Sequence, residues 1–494
     1  MKKVFLINAG PYKSYSVKSR VYFPTLLLYI GTIIKNKYEV EILDRMVEDF
    51  EIATLGDKIK SESSPLACII HFGTKEINDA AGIADCFKRV HPNAKVIALG
   101  LHGAMFPDQV LSDSSFDFVI SLDAENVIYA LLKSIEDGNV SAMPNVWSKM
   151  SNNVLPPSRV ENIDMSSLPL LDYELVSMDK YLYRSVGFLT GDNSLKKVIR
   201  FSTSRGCLYK CNFCTDPFKG YSRMSNEKIV ENLKFIVNKF DPDILYFDDP
   251  EFFMNRKESI ELLKYINSNF RFQCIGTSRA HYYNEKYISL SVMEELKNCW
   301  LVWDVGAETG NSETLKALKK GIQVEQLHNV ASYAGQVGVR SGFSFMVGLP
   351  NETEEDMINT LILIEELKTK SKNNIIITYQ YYQPIGKTEL ALNVSQYGFI
   401  QPILLRDWVN LFDKKTGSID IHYNKWIERP EFIDYLMLVV KFHINEEYQD
   451  SQSSFAKTIR NSWEERKSKN YWDDLWEVEL AKQNNLSFFS YQNA

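Results

Sequence analysis

Short apolar runs alternating with amphipathic helical stretches constrain this chain more than any other feature of it. "KVFLINAG", "EVEILD", "LACIIHFGT", "AKVIALGLHG" and "FDFVISLD" each read as a strand, and helical patterns such as "TLLLYIGTIIKN" lie between them. Strands separated by helices pair in parallel, so residues 1–140 predict a doubly wound, Rossmann-like α/β sheet. Ligands bind such sheets beyond the carboxyl ends of the strands. The candidate ligand loops are therefore residues 8–12, 72–75, 100–104 and 122–125.

Residues 141–190 lose this rhythm. "NNVLPPSRVENIDMSSLPLLDYELV" is rich in Pro, Ser and Asn and reads as a linker strapped over the surface. The alternation resumes at "KKVIRFSTS" and runs through "DILYFDD", "RFQCIGTS", "WLVWDVGAE", "VRSGFSFMVG" and "NIIITYQYY". Six βα units are too few for a closed eight-stranded barrel. Residues 191–390 thus predict a partial (β/α)6 TIM-like barrel with its site at the strands' carboxyl ends. Within it, Ile229, Leu233, Ile236 and Phe240 share one helix face behind a Ser225 cap, and Thr353 and Asp356 hold capping-box positions. Residues 391–494 read as a helical region whose aromatics, including Trp408, Trp426, Trp463, Trp472 and Trp476, are expected in its core.

A chain of 494 residues is too long for one hydrophobic core, consistent with these units. Its net charge of −7 argues against nucleic acid as the main partner. The apolar runs are too short for a signal peptide or a membrane span, so a cytoplasmic location is expected. Seven cysteines, an odd number, argue against a disulfide framework.

Three of those cysteines crowd into "STSRGCLYKCNFCTDP", directly after the first strand of the second unit. Cys207, Cys211 and Cys214 could be packing thiols, zinc ligands or iron–sulfur ligands. Structural zinc wants four ligands, and no second CxxC or HxxxH lies nearby. A [4Fe–4S] cube held by three thiolates leaves one iron open to a cosubstrate. Cys68, Cys86, Cys274 and Cys299 sit inside apolar patterns and read as packing residues. Asp248 and Asp249 can be turn acids or ligands, and Glu308 ends an apolar strand at a site-facing edge. His71 and His102 both follow apolar strands, where packing and cofactor contact are equally open.

CxxxCxΦC, with Phe213 as the aromatic, resembles the signature of the radical S-adenosylmethionine (SAM) enzymes. "FDDPEFF", "VGAETG", "FMVGLPNETEED" and "YQPIGKTEL" follow in the order of that superfamily's second-strand, fourth-strand, fifth-strand and barrel-ending segments. The resemblance implies that Cys207, Cys211 and Cys214 hold a [4Fe–4S] cluster. It also implies that Phe213, Asp248, Asp249, Pro250, Glu308, Val347 and Gly348 bind SAM.

"FPTLLLYIGTIIKNKYEVEILD", "ALGLHGAMFPDQVL", "DFVISLDAENVIYALL" and the segment "IDMSSLPLLDYELV" are similar to those of cobalamin-binding-domain radical SAM proteins. By that resemblance, Tyr12, Phe72, Thr74, Gly100, His102, Asp123 and Glu125 contact cobalamin. The chain departs from the pattern at two loops. Leu99-Gly100-Leu101-His102 stands where the family has Gly-Gly-Pro-His, and Leu122-Asp123-Ala124-Glu125 where it has Gly-Glu-Gly-Glu. The absence of DxHxxG predicts no histidine-ligated cobalt.

The activity implied is generation of a 5′-deoxyadenosyl radical that abstracts hydrogen from an unactivated carbon, followed by methyl transfer from methylcobalamin. The alternative within the family is a cyclisation or rearrangement without methyl transfer, in a chain whose first domain has lost cobalamin. An external electron donor such as flavodoxin or ferredoxin is implied too. A peptide, a lipid and a small natural product all stay open as the substrate, and the carboxyl-terminal region is where its recognition is expected.

Overall fold

The computed structural model describes residues 1–10, 23–48, 50–62, 65–121, 123–150, 153–190, 192, 194–215, 221–413, 418–444, 453–484 and 491–492. Tyr12 therefore lies outside the described residues. In the first unit, β1 (Lys3–Asn8), β2 (Glu39–Asp44), β3 (Ala67–His71), β4 (Lys95–Leu99) and β5 (Phe118–Ile120) alternate with helices and pair in parallel. Their order, β2-β1-β3-β4-β5, reverses between β1 and β3. At such a reversal the crossovers leave to opposite faces and a crevice opens at the strand ends. Val4, Phe5, Leu6 and Ile7 of β1 are wholly buried, as an apolar strand covered on both faces must be.

β6 (Val146–Met150) and β7 (Asn153–Leu155) extend this sheet as an antiparallel hairpin on β5. β8 (Tyr183–Ser185) opens the second sheet by pairing antiparallel with β9 (Leu195–Phe201). The reading of residues 141–190 as linker alone is thus corrected. Its short strands sit at sheet edges, where polar residues and neighbouring prolines are tolerated and no buried apolar run marks them.

After β9 come the small hairpin β10 (Ser204–Gly206) and β11 (Tyr221–Arg223), then β12 (Ile244–Phe247), β13 (Gln273–Ser278), β14 (Trp300–Glu308), β15 (Arg340–Val347) and β16 (Asn374–Tyr381). Strands β9, β12, β13, β14, β15 and β16 are parallel and follow one another across the sheet. This is the expected six-stranded partial barrel. The antiparallel β8 borders one side, and β17 (Tyr491–Gln492), which the sequence did not announce, borders the other.

The helix Asn226–Phe240 begins where Ser225 accepts a hydrogen bond from Lys228 N–H, and it buries Ile229, Leu233 and Ile236 against the sheet. Thr353 and Asp356 form the reciprocal capping box of helix Glu354–Lys370. The carboxyl-terminal region, helical as expected, ends in two helices, Ser454–Lys469 and Trp476–Gln483. Asn470, left-handed at φ 47°, closes the first of them. Trp408 and Trp463 are wholly buried, whereas Trp476 is 45% exposed. Trp408 lies on the turn Leu405–Leu411, which packs onto the first unit, and Arg406 beside it pairs with Asp85 and Asp113. No helix among the described residues is long and apolar enough to cross a membrane.

Candidate active site

The cysteine loop leaves the barrel after β9 through the β10–β11 hairpin, and Gly206 at φ 77° makes the turn into it. Cys207 and Cys211 are half-buried, Cys214 is exposed, and none of the three is in a disulfide among the described residues. Backbone and side-chain bonds pin the loop to the barrel rim. Asn212 donates to the carbonyls of Leu318 (3.1 Å) and Ala317 (2.9 Å), and its own carbonyl accepts from Leu390 N–H (2.9 Å). Tyr209 Oη lies 2.9 Å from both His281 Nε2 and Tyr282 Oη. Burial pushes the Cys207 thiol up to about 11, with nearby Arg279 acting in the opposite direction. A thiolate at this position therefore needs added positive charge, which a bound metal centre supplies.

Of the two acids after β12, Asp249 braces this loop and Asp248 braces β9. Asp249 is buried and accepts from Thr203 N–H (3.0 Å), Thr203 Oγ1 (2.6 Å) and Ser204 Oγ, holding the chain that enters the cysteines. Asp248 pairs with Arg200. Pro250 is exposed. Glu251 is only 3% exposed and accepts from Phe253 N–H, and burial raises its carboxyl to about 8.

A cleft of about 630 Å³ opens between the units. Thr74, Glu76 and Leu101 from the first unit face Phe213, Cys214, Glu308, Ser344, Met346 and Gln380 from the second across it. Glu308 reaches it through a register shift after Gly306 and a left-handed backbone at φ 65°. Its carboxylate pairs with Lys320, a residue without any sequence signal. Gly306 makes that pair possible, because a Cβ there would lie 2.5 Å from Lys320 Nζ and 2.6 Å from Glu308 Oε1. Lys320 Nζ also stands 5.8 Å from the Phe213 ring centroid, linking the fourth strand to the cysteine loop. Below Ser344, whose hydroxyl lies 2.8 Å from Asp304 Oδ1, burial lifts the Asp304 carboxyl to about 6.

Val347 and Gly348 do not face the cleft. Val347 is wholly buried, and Gly348, at φ 69°, packs so tightly under the carboxyl-terminal region that a Cβ would meet Ile433 Cδ1 at 2.7 Å. Ser344, Phe345 and Met346 supply the fifth strand's contribution instead.

On the first unit, a second cavity of about 250 Å³ lies at the β1/β3 reversal, lined by Asn8, His71 and Phe72, and it shares Gly73 and Glu76 with the large cleft. His71 Nδ1 is 2.9 Å from Asn8 Oδ1, and Asn8 Nδ2 donates to Asp44 Oδ1 at 2.9 Å. Burial lowers His71 to about 4, so it is neutral near pH 7. Gly100, at φ 104°, lets β4 turn over Phe72, whose carbonyl oxygen would lie 2.3 Å from a Cβ.

His102 is wholly buried. Its ring lies 5.0 Å from Phe106 and 5.3 Å from Trp408, Nδ1 is 3.1 Å from Thr74 Oγ1, and burial holds its pKa near 3. It is a packing histidine. Asp123 and Glu125 are buried as well and both grip Arg205, two residues before Cys207, at 3.0 and 3.1 Å from Nη1. Asp123 also accepts from Ile163 N–H at 2.8 Å. Asp123 and Glu125, expected at a cofactor, are engaged with the protein itself, whereas His102 is engaged only through Nδ1, its Nε2 being buried without a hydrogen-bond partner among the described residues.

The profile of the Radical SAM superfamily matches residues 201–364. An uncharacterized methyltransferase, PH0819, of Pyrococcus horikoshii is 24% identical over 396 residues, covering 77% of this chain and 83% of its own. Among solved structures, the radical SAM methyltransferase TsrM of Kitasatospora setae, with tryptophan and a SAM analogue bound, superposes with a TM-score of 0.68 at 14% identity. The match covers 98% of this chain and 100% of that one. The cobalamin-dependent SAM radical enzyme OxsB, with aqua-cobalamin and SAM bound, gives 0.66 at 15% identity over 98% of this chain and 76% of its own. Residues 201–364 thus match the Radical SAM superfamily domain, and the chain as a whole shares the fold of TsrM and OxsB.

Proposed function

We propose that this protein is a cobalamin-dependent radical SAM C-methyltransferase. One observation carries the reading: the three-cysteine loop opens, through Cys214 and Phe213, into a 630 Å³ cleft walled on its far side by the carboxyl edge of a doubly wound sheet. The donor set fits the groups implied. Three thiols within one loop suit a cluster with a vacant iron, and an arginine with unpartnered donors lies beside Cys211. The cleft and the β1/β3 cavity share walls, which suits a cofactor with a broad ring and an appended base.

When bound, the cluster and SAM supply a 5′-deoxyadenosyl radical, and methylcobalamin supplies the methyl group. Cys207, Cys211 and Cys214 bind the cluster. Phe213 shields its cleft-facing side, and Glu308, held by Lys320, presents a carboxylate oxygen to SAM. Asp249 fixes the loop by holding Thr203 and Ser204. Thr74 and Leu101 form part of the far wall, Gly100 lets the chain pass close over Phe72 behind it, and the apolar Leu101 and Met346 help to keep solvent out of the cleft. A flavodoxin- or ferredoxin-type donor provides the electron.

The test is anaerobic reconstitution with iron and sulfide, then SAM and dithionite with and without methylcobalamin. The expected results are 5′-deoxyadenosine formation and corrin absorbance bands that survive gel filtration. A chain that holds zinc or no metal after reconstitution overturns the reading. The engagement of Asp123 and Glu125 by Arg205 favours one second reading, a radical rearrangement or cyclisation with an empty first domain. It predicts 5′-deoxyadenosine without retained corrin bands.

A further inference from the structure

Arg279 follows the third parallel strand of the barrel and is 5% exposed. Its Nη1 donates toward Cys211 Sγ at 3.6 Å, and its guanidinium carbon lies 3.8 Å from the Tyr209 ring centroid. Tyr209 is itself tied to His281 and Tyr282, two residues of Arg279's own loop. The guanidinium is thus clamped between the cysteine loop and the third strand's exit. Nε and Nη2 are buried and have no acceptor among the described residues. Leaving two such donors unpaired costs stability, so an acceptor from outside the chain, bound water included, is expected beside them.

Resting on the reading of Cys207, Cys211 and Cys214 as cluster ligands, we propose that Arg279 is a positioning residue for the cluster: it fixes Cys211 and raises the cluster's reduction potential. The physical reason is general. Hydrogen bonds to ligand sulfurs and nearby positive charge stabilise the reduced, more negative state of an iron–sulfur centre. Cys211 is the sulfur so contacted, and the guanidinium supplies the charge. Glu251, the acid electrostatically coupled to Arg279, keeps its proton to about pH 8 and so does not cancel that charge near neutrality. Arginine is required because its planar fork directs one N–H at the sulfur while two others face away from it.

The test is an anaerobic redox titration of reconstituted protein without SAM, followed by electron paramagnetic resonance of the reduced cluster. Arg279→Gln is expected to hold the same iron and sulfide per chain as the unaltered protein. At the unaltered protein's midpoint, its ratio of reduced to oxidised cluster should fall about tenfold, equivalent to about 59 mV for a one-electron couple. Arg279→Lys, which keeps the charge and loses the fork, should fall between the two. If Arg279→Gln fails to load iron, Arg279→Lys alone decides: a lowered potential supports the proposal and an unchanged one overturns it. An unchanged potential in a fully loaded Arg279→Gln likewise overturns it and leaves the assignment of the cysteines intact. Failure of the unaltered protein to hold iron defeats that assignment instead.

Discussion

The cleft is bounded by the carboxyl edges of two parallel sheets, and the two edges use their polar residues differently. On the first sheet, Asn8 is bonded to Asp44 and His71, Asp123 and Glu125 close on Arg205, and His102 meets Thr74 through Nδ1 while its Nε2 has no hydrogen-bond partner among the described residues. On the barrel edge, Cys214, Glu308 and Ser344 face the cleft, and Arg279 keeps two donors without acceptors among the described residues. The two arginines flanking the cysteine loop make the contrast sharpest. Arg205 is saturated by two carboxylates and works as a latch between units, whereas Arg279 has more donors than its neighbours satisfy. Of these two arginines, the one the fold satisfies holds the units together, and the one it leaves wanting stands where a ligand's chemistry is expected.

The largest effect that can test this contrast is on the barrel edge. Replacing Cys207, Cys211 or Cys214 singly with alanine should abolish retained iron and 5′-deoxyadenosine formation while leaving the circular dichroism spectrum unchanged. Substantial iron in any of the three would show that the trio is not the ligand set. Next comes the latch. Arg205→Ala leaves two buried carboxylates without their cation, which costs about 3–5 kcal/mol. Chemical denaturation should report that loss. A change below about 1 kcal/mol, the scale of an exposed ion pair, would move Arg205 from scaffold to binding edge.

Much of this was legible in the sequence because its signals are local. The strand–helix alternation, the Ser225 and Thr353 caps and the cysteine spacing each depend on residues within a few positions of one another. The contacts that separate the two edges are not local: Arg205 and Asp123 are 82 positions apart, and Arg279 and Cys211 are 68 apart. Composition marks neither. Position along the fold was foreseeable for Asp123, Glu125, Val347 and Gly348, but orientation was not, because a left-handed residue or a register shift turns a side chain by half a strand period. Asp123 at φ 39°, Glu308 at φ 65° and Gly348 at φ 69° all stand at such turns. The edge strands β6, β7, β8 and β17 escaped for a different reason, since short polar edges carry no apolar alternation to read.

Acid–base behaviour gives a third, smaller test. Glu251 holds its proton to about pH 8 in the folded chain, against an ordinary value of 4.5. Between those values the native state binds a proton that the unfolded chain has released, so this group's contribution to stability falls as pH rises, by at most about 1.4 kcal/mol per pH unit. Glu251→Gln should therefore flatten the decline in thermal midpoint of iron-free protein from pH 5 to 8. An unaltered slope would place the carboxyl in a better solvated site than its burial indicates.

The finest discrimination comes from His102. Its ring is neutral and buried among Phe106, Trp408 and Phe72, with a depressed pKa near 3 against an ordinary 6.5. Below pH 6.5 the unfolded chain gains a proton that the native ring refuses, so this group withdraws stability as pH falls toward 3. His102→Phe keeps a planar ring in the same cage and removes that acid sensitivity. It also leaves Thr74 Oγ1 without its partner, at a cost of about 1 kcal/mol near neutral pH. Because the side chain is enclosed by protein, the variant should retain corrin bands at the level of the unaltered chain. Their loss would mean that His102 meets the cofactor through its unpartnered Nε2, and the first sheet would then carry a receptive group as the barrel edge does.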